Sequence, residues 1–366
     1  MYREILKKAV DGAFLDKTEI AVLLAPPDEA AEGELFQAAQ GLKRELFGNL
    51  VNLRGLVEFS NICTRDCLYC GIRKSNSKVT RYVMSMDEIV HGAALAGEFG
   101  YGSVVLQSGE RSDAAFADLV EEILFRIGEL PYKPGITLSC GEQSLATYLR
   151  WRKAGAKRYL LRIESSSESI YRAIHPAETT LAARKAALER LKEAGYQTGS
   201  GVMIGLPGQS TADLAGDIDF FRTMDLDMIG MGPFIPQADT PLGKSGPDLP
   251  GMAEQRLKLS LRMIAVTRLV LRDVNIAATT ALQAIDPVSG RERGICAGAN
   301  VIMPNVGDTA FRKDYQLYNG KPALDENAES IRTQLIGSLA AIGEVPRFHE
   351  DGDPPHYFRR MANAGI

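Results

Sequence analysis

Basic residues are not in excess: 42 Lys and Arg stand against 46 Asp and Glu in 366 residues, a net charge of −4. A chain that grips a phosphate backbone normally carries a basic face, so no nucleic-acid partner is expected. Long apolar runs are lacking as well. None approaches the roughly 18 residues of a membrane span. The N-terminal MYREILKKAVDGAFLDKTEI is charged throughout and has no apolar core of the kind a signal peptide needs. Neither membrane nor export is expected, and a cytoplasmic address follows. Histidine is scarce, with four residues at 91, 175, 349 and 356. Cysteine is scarce and odd in number: five in all, none after Cys296. Three of them fall within eight positions, poor spacing for a disulfide framework and good spacing for a metal or cluster loop.

What is present is a repeated texture. Residues 1–48 read as a helical lead-in, with apolar positions at helical spacing through Ile5, Ala9 and Phe14 and again through Leu35, Ala38, Leu42 and Leu46. From there to residue 306, short apolar runs alternate with longer amphipathic stretches. The runs are 53–59, 103–107, 136–140, 158–163, 199–204, 228–232, 275–279 and 299–303. Ser85 and Glu88 have capping-box spacing at one helix start, and Gly100, Gly155 and Gly195 stand where helices should end before the next run. Eight strand–helix repeats predict an α/β fold with a parallel sheet closed into a (β/α)8 barrel of the TIM type; an open doubly wound sheet is the alternative. Unusual polar residues at the ends of the runs favour closure, because a barrel gathers strand ends around one mouth. They include Ser60-Asn61, Gln107 to Glu110, Ser139-Cys140, Glu164, Pro207 to Gln209, Thr279-Thr280 and Pro304-Asn305. Residues 307–366, with a helix pattern over Ile331 to Ile342, form an extension expected to pack on the barrel.

The first run leads directly into Cys63-x3-Cys67-x2-Cys70. Three thiolates leave one iron of a [4Fe–4S] cube open, since the cube normally takes four protein ligands. An open iron can chelate a small molecule through an amine and a carboxylate, as S-adenosylmethionine offers. A structural zinc site would want a fourth Cys or His close by, and no histidine is near. Cys140 and Cys296 lie in an apolar run and a helix pattern and read as small core residues. In the fourth run, Arg158, Leu160, Arg162 and Glu164 share a face by alternation. Charge aimed into a barrel mouth needs a partner or a ligand; Arg162 suits a carboxylate and Glu164 suits ribose hydroxyls.

The cysteine spacing, with the aromatic Tyr69 just before Cys70, resembles the signature of the radical S-adenosylmethionine (SAM) superfamily. That resemblance implies a cofactor shell of Gln107, Gly109 and Glu110 on the methionine side and Met203 and Gly205 on the adenine side. A narrower resemblance runs over nearly the whole chain, to the maturases that build the H-cluster of [FeFe] hydrogenases. It is carried by EFSNICTRDCLYCGIR (58–73), VLQSGE (105–110), RYLLRIE (158–164), GYQTGSGVMIGLPGQS (195–210), MGPFIPQADTPL (231–242), ATT (278–280), CAGANVIMPN (296–305) and YQLY (315–318). By motif match it implies Arg162, Glu164, Arg184 and Met231 as further cofactor contacts, and Arg158, Thr279, Thr280, Tyr315, Ser108 and Thr137 as the substrate-side residues.

The resemblance implies reductive cleavage of SAM and adenosylation of a cysteine-bound Fe(CO)2CN precursor. The substrate class is a small organometallic or amino-acid-derived molecule. Other hydrogenase maturases and an electron donor such as ferredoxin or flavodoxin are the implied partners. Two departures stand out. Ile163 occupies a place where the family has His, which opens the alternative of a paralogue such as a methylornithine synthase, a lysine mutase. The tail carries no cysteine, so a single cluster is expected. A catalytically silent Fe–S scaffold is the reading from another class.

Overall fold

The computed structural model describes residues 1–245 and 249–363; the end of the extension expected at 307–366 therefore lies partly outside the described residues. Among the described residues ten strands follow one another: β1 (Leu50–Ser60), β2 (Ser103–Ser108), β3 (Gly135–Ser139), β4 (Ala156–Leu160), β5 (Gln197–Ser200), β6 (Met203–Ile204), β7 (Met228–Pro233), β8 (Asn275–Ala278), β9 (Val301–Ile302) and β10 (Val345–Arg347). All pairings in the ring are parallel, and β9 returns to pair with β1, so eight strands close the predicted barrel. The run expected as one strand over 199–204 is split into β5 and β6. Gly201 sits at the break, where a Cβ would lie 1.8 Å from the Gly230 carbonyl oxygen. The backbone there is pressed too close to β7 for a regular strand to pass.

Helices fill the outside. The lead-in holds helices over Tyr2–Val10, Lys17–Leu24 and Glu29–Phe47, and the tail holds one over Ala328–Ala341. Ser85 and Glu88 make the reciprocal capping box expected of them, which satisfies two orphan donors of the first turn. Odd positions of β1, from Val51 to Phe59, face this helical layer and are buried in the main apolar core, leaving Asn52, Arg54, Leu56 and Glu58 on the inner face. No helix among the described residues is long and apolar enough to cross a membrane.

The tail closes the N-terminal end of the barrel. β10 adds to β1 from Leu50 to Asn52, and the following loop turns underneath. There the Asn275 amide donates to the Gly352 carbonyl at 2.7 Å, and the Arg158 guanidinium donates to the Asp351 carbonyl at 2.8 Å and pairs with the Asp353 carboxylate. Gly352 has φ 65°, and a Cβ would strike Asn52 at 2.6 Å, so the turn needs glycine for both conformation and space. This corrects the expected place of Arg158. Alternation does put it on the inner face, but its fully buried side chain bends toward the floor and is spent on the tail, away from the mouth.

Removing one partner of a buried pair strands the other charge, so Arg158→Ala should cost about 3 kcal/mol in denaturant unfolding. Burial alone would raise the Asp353 carboxyl, but the Arg158 charge and the bonds from Gln197 and Arg158 outweigh it and hold it below its usual range. A carboxyl depressed in the folded state stabilises fully above its unfolded value and loses that contribution as pH falls through the folded one. Below about pH 4 the difference between wild type and Arg158→Ala should therefore shrink. A gap that stays constant to low pH would mean that the pair is not the source of the stability.

Candidate active site

The cysteine loop leaves β1 at Ser60 and is pinned from three sides. The Asn61 amide donates to the Thr80 and Asp314 carbonyls, both at 2.7 Å, and its oxygen accepts from the Tyr82 N–H at 2.9 Å. Arg81 donates to the carbonyls of Asn61 and Ile72 at 2.8 Å and of Arg73 at 2.6 Å. The Gly71 N–H meets the Leu317 carbonyl at 2.9 Å, under a chain so close that a Cβ at Gly71 would fall 1.9 Å from the Gln316 oxygen. The tail thus also covers the mouth, beside the cysteines.

The Cys63 sulfur accepts backbone N–H groups of Arg65 and Glu110, each at 3.4 Å. Burial pushes its thiol up despite those bonds, pushes Cys67 up to about 12, and holds Cys70 well above the ordinary thiol range, each thiolate further opposed by its neighbours. Three thiolates are stable here only around added positive charge. The three sulfurs do not converge on a single-ion shell, and among the described residues no other His, Cys, Asp or Glu group could hold one ion. Three protein thiolates would suit a multi-iron cluster with one open iron, where a structural zinc site would want a fourth protein ligand.

Around the loop lies an ion network that the sequence did not reveal. Glu110 pairs with Arg65 and, at 3.5 Å, with Arg184; Arg184 reaches Glu142 at 2.9 Å, and Arg65 reaches Glu142 at 3.3 Å. The Glu110 carboxylate is therefore occupied by protein cations, and its backbone is engaged by the cysteine loop, its N–H on the Cys63 sulfur and its carbonyl accepting from the Thr64 N–H at 2.8 Å. Gly109 lies where a Cβ would be 2.4 Å from the Ile62 oxygen, so the turn after β2 needs glycine to pass beside the cysteine loop.

Beyond the end of β4, Glu164 adopts φ 63°, rare for a non-glycine residue, held by its N–H to the Gly201 carbonyl at 3.0 Å. That turn brings its carboxylate within 2.9 Å of Arg162, which also donates to the Val202 carbonyl at 3.0 Å. The Nη2–Oε2 contact is an ion pair without hydrogen-bond alignment, and Arg162 Nε separately lacks a bonded partner. Burial raises the Glu164 carboxyl against the charges of Arg162 and Arg184. Tyr69 and Met203 pack against a small apolar cluster of Ile170, Ile174, Leu206 and Phe234. Gly205, with φ 80°, lies under Arg256.

The remaining expected residues divide. Gln107 donates to the Tyr315 hydroxyl at 3.3 Å, joining the second strand to the tail at the mouth. Thr279 turns its hydroxyl to the Met231 carbonyl at 2.9 Å, Thr280 begins the helix over Thr280–Ile285, and Ser108 bonds the neighbouring Gly109 carbonyl at 2.8 Å. Met231 is corrected: it lies on the outer side of β7, fully buried in the core, with its sulfur 3.8 Å from the Thr267 hydroxyl of the helix over Met252–Leu271. Ile163 likewise belongs to the outer core. Cys140 is fully buried there too, and Cys296 is partly exposed at the end of the helix over Gly290–Cys296.

Inside the barrel is a cavity lined by Arg54, Thr137, Leu160, Met228, Asn275 and Met303, among others. Arg54, which sequence reasoning missed, is its charged residue. It is 4% exposed; Nη1 touches the Met228 sulfur at 2.9 Å, while Nε and Nη2 have no partner. Burial and then the nearby Arg158 push its pKa down to about 9. The Thr137 hydroxyl, facing the same space, is also without a partner. A charged residue at alternating spacing inside an apolar run, as in Leu53-Arg54-Gly55-Leu56-Val57-Glu58, was the signal available for it.

Comparison with known proteins places the site in context. The radical SAM superfamily model matches residues 57–221. The [FeFe] hydrogenase maturase subunit HydE of Thermotoga maritima is 40% identical over 94% of this chain and 95% of its own length. The 3-methylornithine synthase of Methanosarcina acetivorans is 26% identical over 93% of each chain. Among solved structures, a methylornithine synthase superposes with a TM-score of 0.79 at 24% identity, covering 94% of this chain and 98% of that one, a likeness of fold.

Anaerobic reconstitution should give about four irons and four sulfides per chain, lost on Cys63→Ser, Cys67→Ser or Cys70→Ser and kept in Cys140→Ala and Cys296→Ala. Iron retained in the triple serine variant, measured by colorimetric iron and sulfide assay, would overturn the ligand assignment.

Proposed function

The chain belongs to the radical SAM superfamily and, within it, to the family of the HydE maturases, and from that membership we propose that it transfers the 5′-deoxyadenosyl group of SAM to a cysteine-bound Fe(CO)2CN substrate during assembly of the hydrogenase diiron centre. It is a radical SAM enzyme that works alongside other hydrogenase maturases; a low-potential donor of the ferredoxin or flavodoxin kind would supply the electron. The single observation that carries the substrate reading is Arg54, a buried cation with two unpartnered donor atoms facing an otherwise mainly apolar cavity. Such a group is costly unless an anion meets it, and an anionic iron complex would do so.

When bound, a single cluster on Cys63, Cys67 and Cys70 with SAM at its open iron supplies one-electron cleavage of the sulfonium. The chain's own residues do the rest. Arg162 and Glu164 would orient the carboxylate and ribose of SAM, the free Nε of Arg162 being the unspent donor. Arg184 would act through the Glu110–Glu142 network that supports the cofactor turn. Arg54 and Thr137 would anchor the substrate at depth, and Gln107, Tyr315, Thr279 and Thr280 line its approach. The tail closes the floor and covers the mouth, which excludes water from a reactive radical.

The lysine-mutase reading draws on the 26% identity to 3-methylornithine synthase and on Ile163. Ile163 points into the outer core, however, so its exchange does not alter the cavity. A lysine ammonium would need a free carboxylate. Glu58 is held by Lys321 and Asn305, Glu110 by Arg65 and Arg184, and Asp353 by Arg158. Glu164, beside Arg162 with Oε2 lacking a hydrogen bond, is the acid assigned to the SAM ribose, and the other three are already paired.

A charge-assisted contact contributes about 1.5–3 kcal/mol, roughly tenfold to a hundredfold. Arg54→Met should leave 5′-deoxyadenosine release largely intact while reducing hydrogenase activation by at least that factor, in a maturation mixture lacking only this component. Methylornithine formed from lysine by the wild type, or full activation by Arg54→Met, would defeat the proposal. A wild type that binds four irons yet releases no 5′-deoxyadenosine would favour the silent scaffold.

A further inference from the structure

The Glu164 carboxylate reaches Arg162 through a backbone turn that no local rule favours. The Ser165 N–H bonds the Ile163 carbonyl, two residues back, at 2.8 Å, which closes a three-residue turn centred on Glu164 at φ 63°. Positive φ at the centre of such a turn, on a residue with a side chain, is rare and strained. It persists only where the surroundings over-determine it. On the sheet side, the Glu164 N–H donates to the Gly201 carbonyl and the Glu164 carbonyl accepts from the Met203 N–H, both at 3.0 Å. Those bonds fix the entry to the turn.

The exit is fixed by one side chain from outside the sheet. Asp217, in the helix over Thr211–Thr223, accepts both the Ser166 N–H and the Ser166 hydroxyl on Oδ1, each at 2.6 Å. Asp217 and Ser165 are fully buried, and the second Asp217 oxygen, Oδ2, has no hydrogen-bond partner. Burial raises this carboxyl to about 7 against the pull of the two Ser166 bonds. A buried acid with one idle oxygen is a poor contributor to stability. What it supplies, and an apolar side chain of its size could not, is a fixed position for the chain two residues after Glu164.

We propose that Asp217 is a positioning residue for SAM, which through Ser166 locks the turn that aims the Glu164 carboxylate at the ribose. The inference rests on the reading of Glu164 as the ribose contact and adds a residue that no motif of the sequence singled out. Asp217 acts through the backbone of the turn alone, so its effect falls on the ribose and spares the amine and carboxylate of the methionine part.

The test is anaerobic equilibrium binding to cluster-loaded protein, with iron and sulfide measured first and the cluster left oxidised so that SAM is not cleaved. Two probes are compared: SAM, and methionine, which keeps the amine and carboxylate but has no ribose. Asp217→Leu removes both bonds to Ser166 and should lower SAM affinity about tenfold while leaving methionine affinity unchanged. Asp217→Asn, whose amide oxygen can accept both bonds, should stay close to wild type. Glu164→Gly removes the carboxylate and suits the positive φ; it should weaken SAM, and Asp217→Leu added to it should change nothing further. Ser166→Ala, which loses the hydroxyl bond and keeps the N–H, should show the same selective loss at about threefold, and it carries the test if Asp217→Leu does not load its cluster. Unchanged SAM affinity in the variant tested, an equal loss for methionine, an Asp217→Asn that follows Asp217→Leu, or a further loss in the double variant overturns the proposal while leaving the ribose reading intact. A Glu164→Gly that binds SAM like wild type overturns both.

Discussion

Charge enclosed in a closed barrel costs several kcal/mol per ion unless something answers it, and that constraint organises this molecule from floor to mouth. β1 and β4 send Arg54, Glu58 and Arg158 inward. Arg158 is answered by Asp353 from the tail, and Glu58 by Lys321, also from the tail, which bonds both of its oxygens. Arg54 has no carboxylate partner and keeps two donor atoms, Nε and Nη2, unbonded, where the paired Arg158 keeps only Nη1. The pattern of compensation therefore separates charges that hold the chain together from the one left for a ligand, a distinction that burial by itself would not make.

The same reasoning extends to the cysteine loop. Partly buried thiols with raised pKa values are poor ligands until a cation arrives, and each backbone N–H aimed at Cys63 reduces that cost in advance. The loop can hold such a geometry because Arg81 gathers three of its carbonyls and the tail presses on Gly71. Ionic bonds between Glu110, Arg65, Arg184 and Glu142 then tie the loop to three further elements of the barrel rim. Pre-organisation of this kind is built from many small contacts and none of it is visible in a spacing motif.

Much of the architecture was legible in the sequence because it rests on periodicity. Alternating short and long apolar patterns identified the closed barrel, and a capping box and helix-ending glycines marked boundaries through local rules that tertiary structure did not override. The cysteine loop was legible because ligand spacing is a local property. What alternation could not tell was how a long side chain bends after leaving its strand. Arg158 is on the inner face as expected, yet it runs to the floor because Asp353, 195 positions away, attracts it. Met231 was assigned to the cofactor by motif and instead faces the helix behind β7, since Met228 and Gly230 take the inner positions. Arg54 was absorbed into an apolar run, where two charges among seven residues, Arg54 and Glu58, did not outweigh the apolar reading. The tail's part in both ends of the barrel depends on ordinary-looking loop residues, whose meaning comes only from what they meet.

The floor has a consequence in time as well as in space. The fully buried ion pair between Lys43 and Glu344 joins positions 301 apart, and β10 reaches back to the first strand of the ring. A ribosome releases all eight ring strands before residues 345–353. Until those residues arrive, the nascent barrel is a ring open to water at one end, with Arg158 hydrated and its guanidinium unclaimed. Closing a loop of that span is slow compared with forming the local strand–helix pairs, so the last stretch to be synthesised acts as a stopper fitted after the vessel is made. An interior that must stay dry during catalysis thus begins wet.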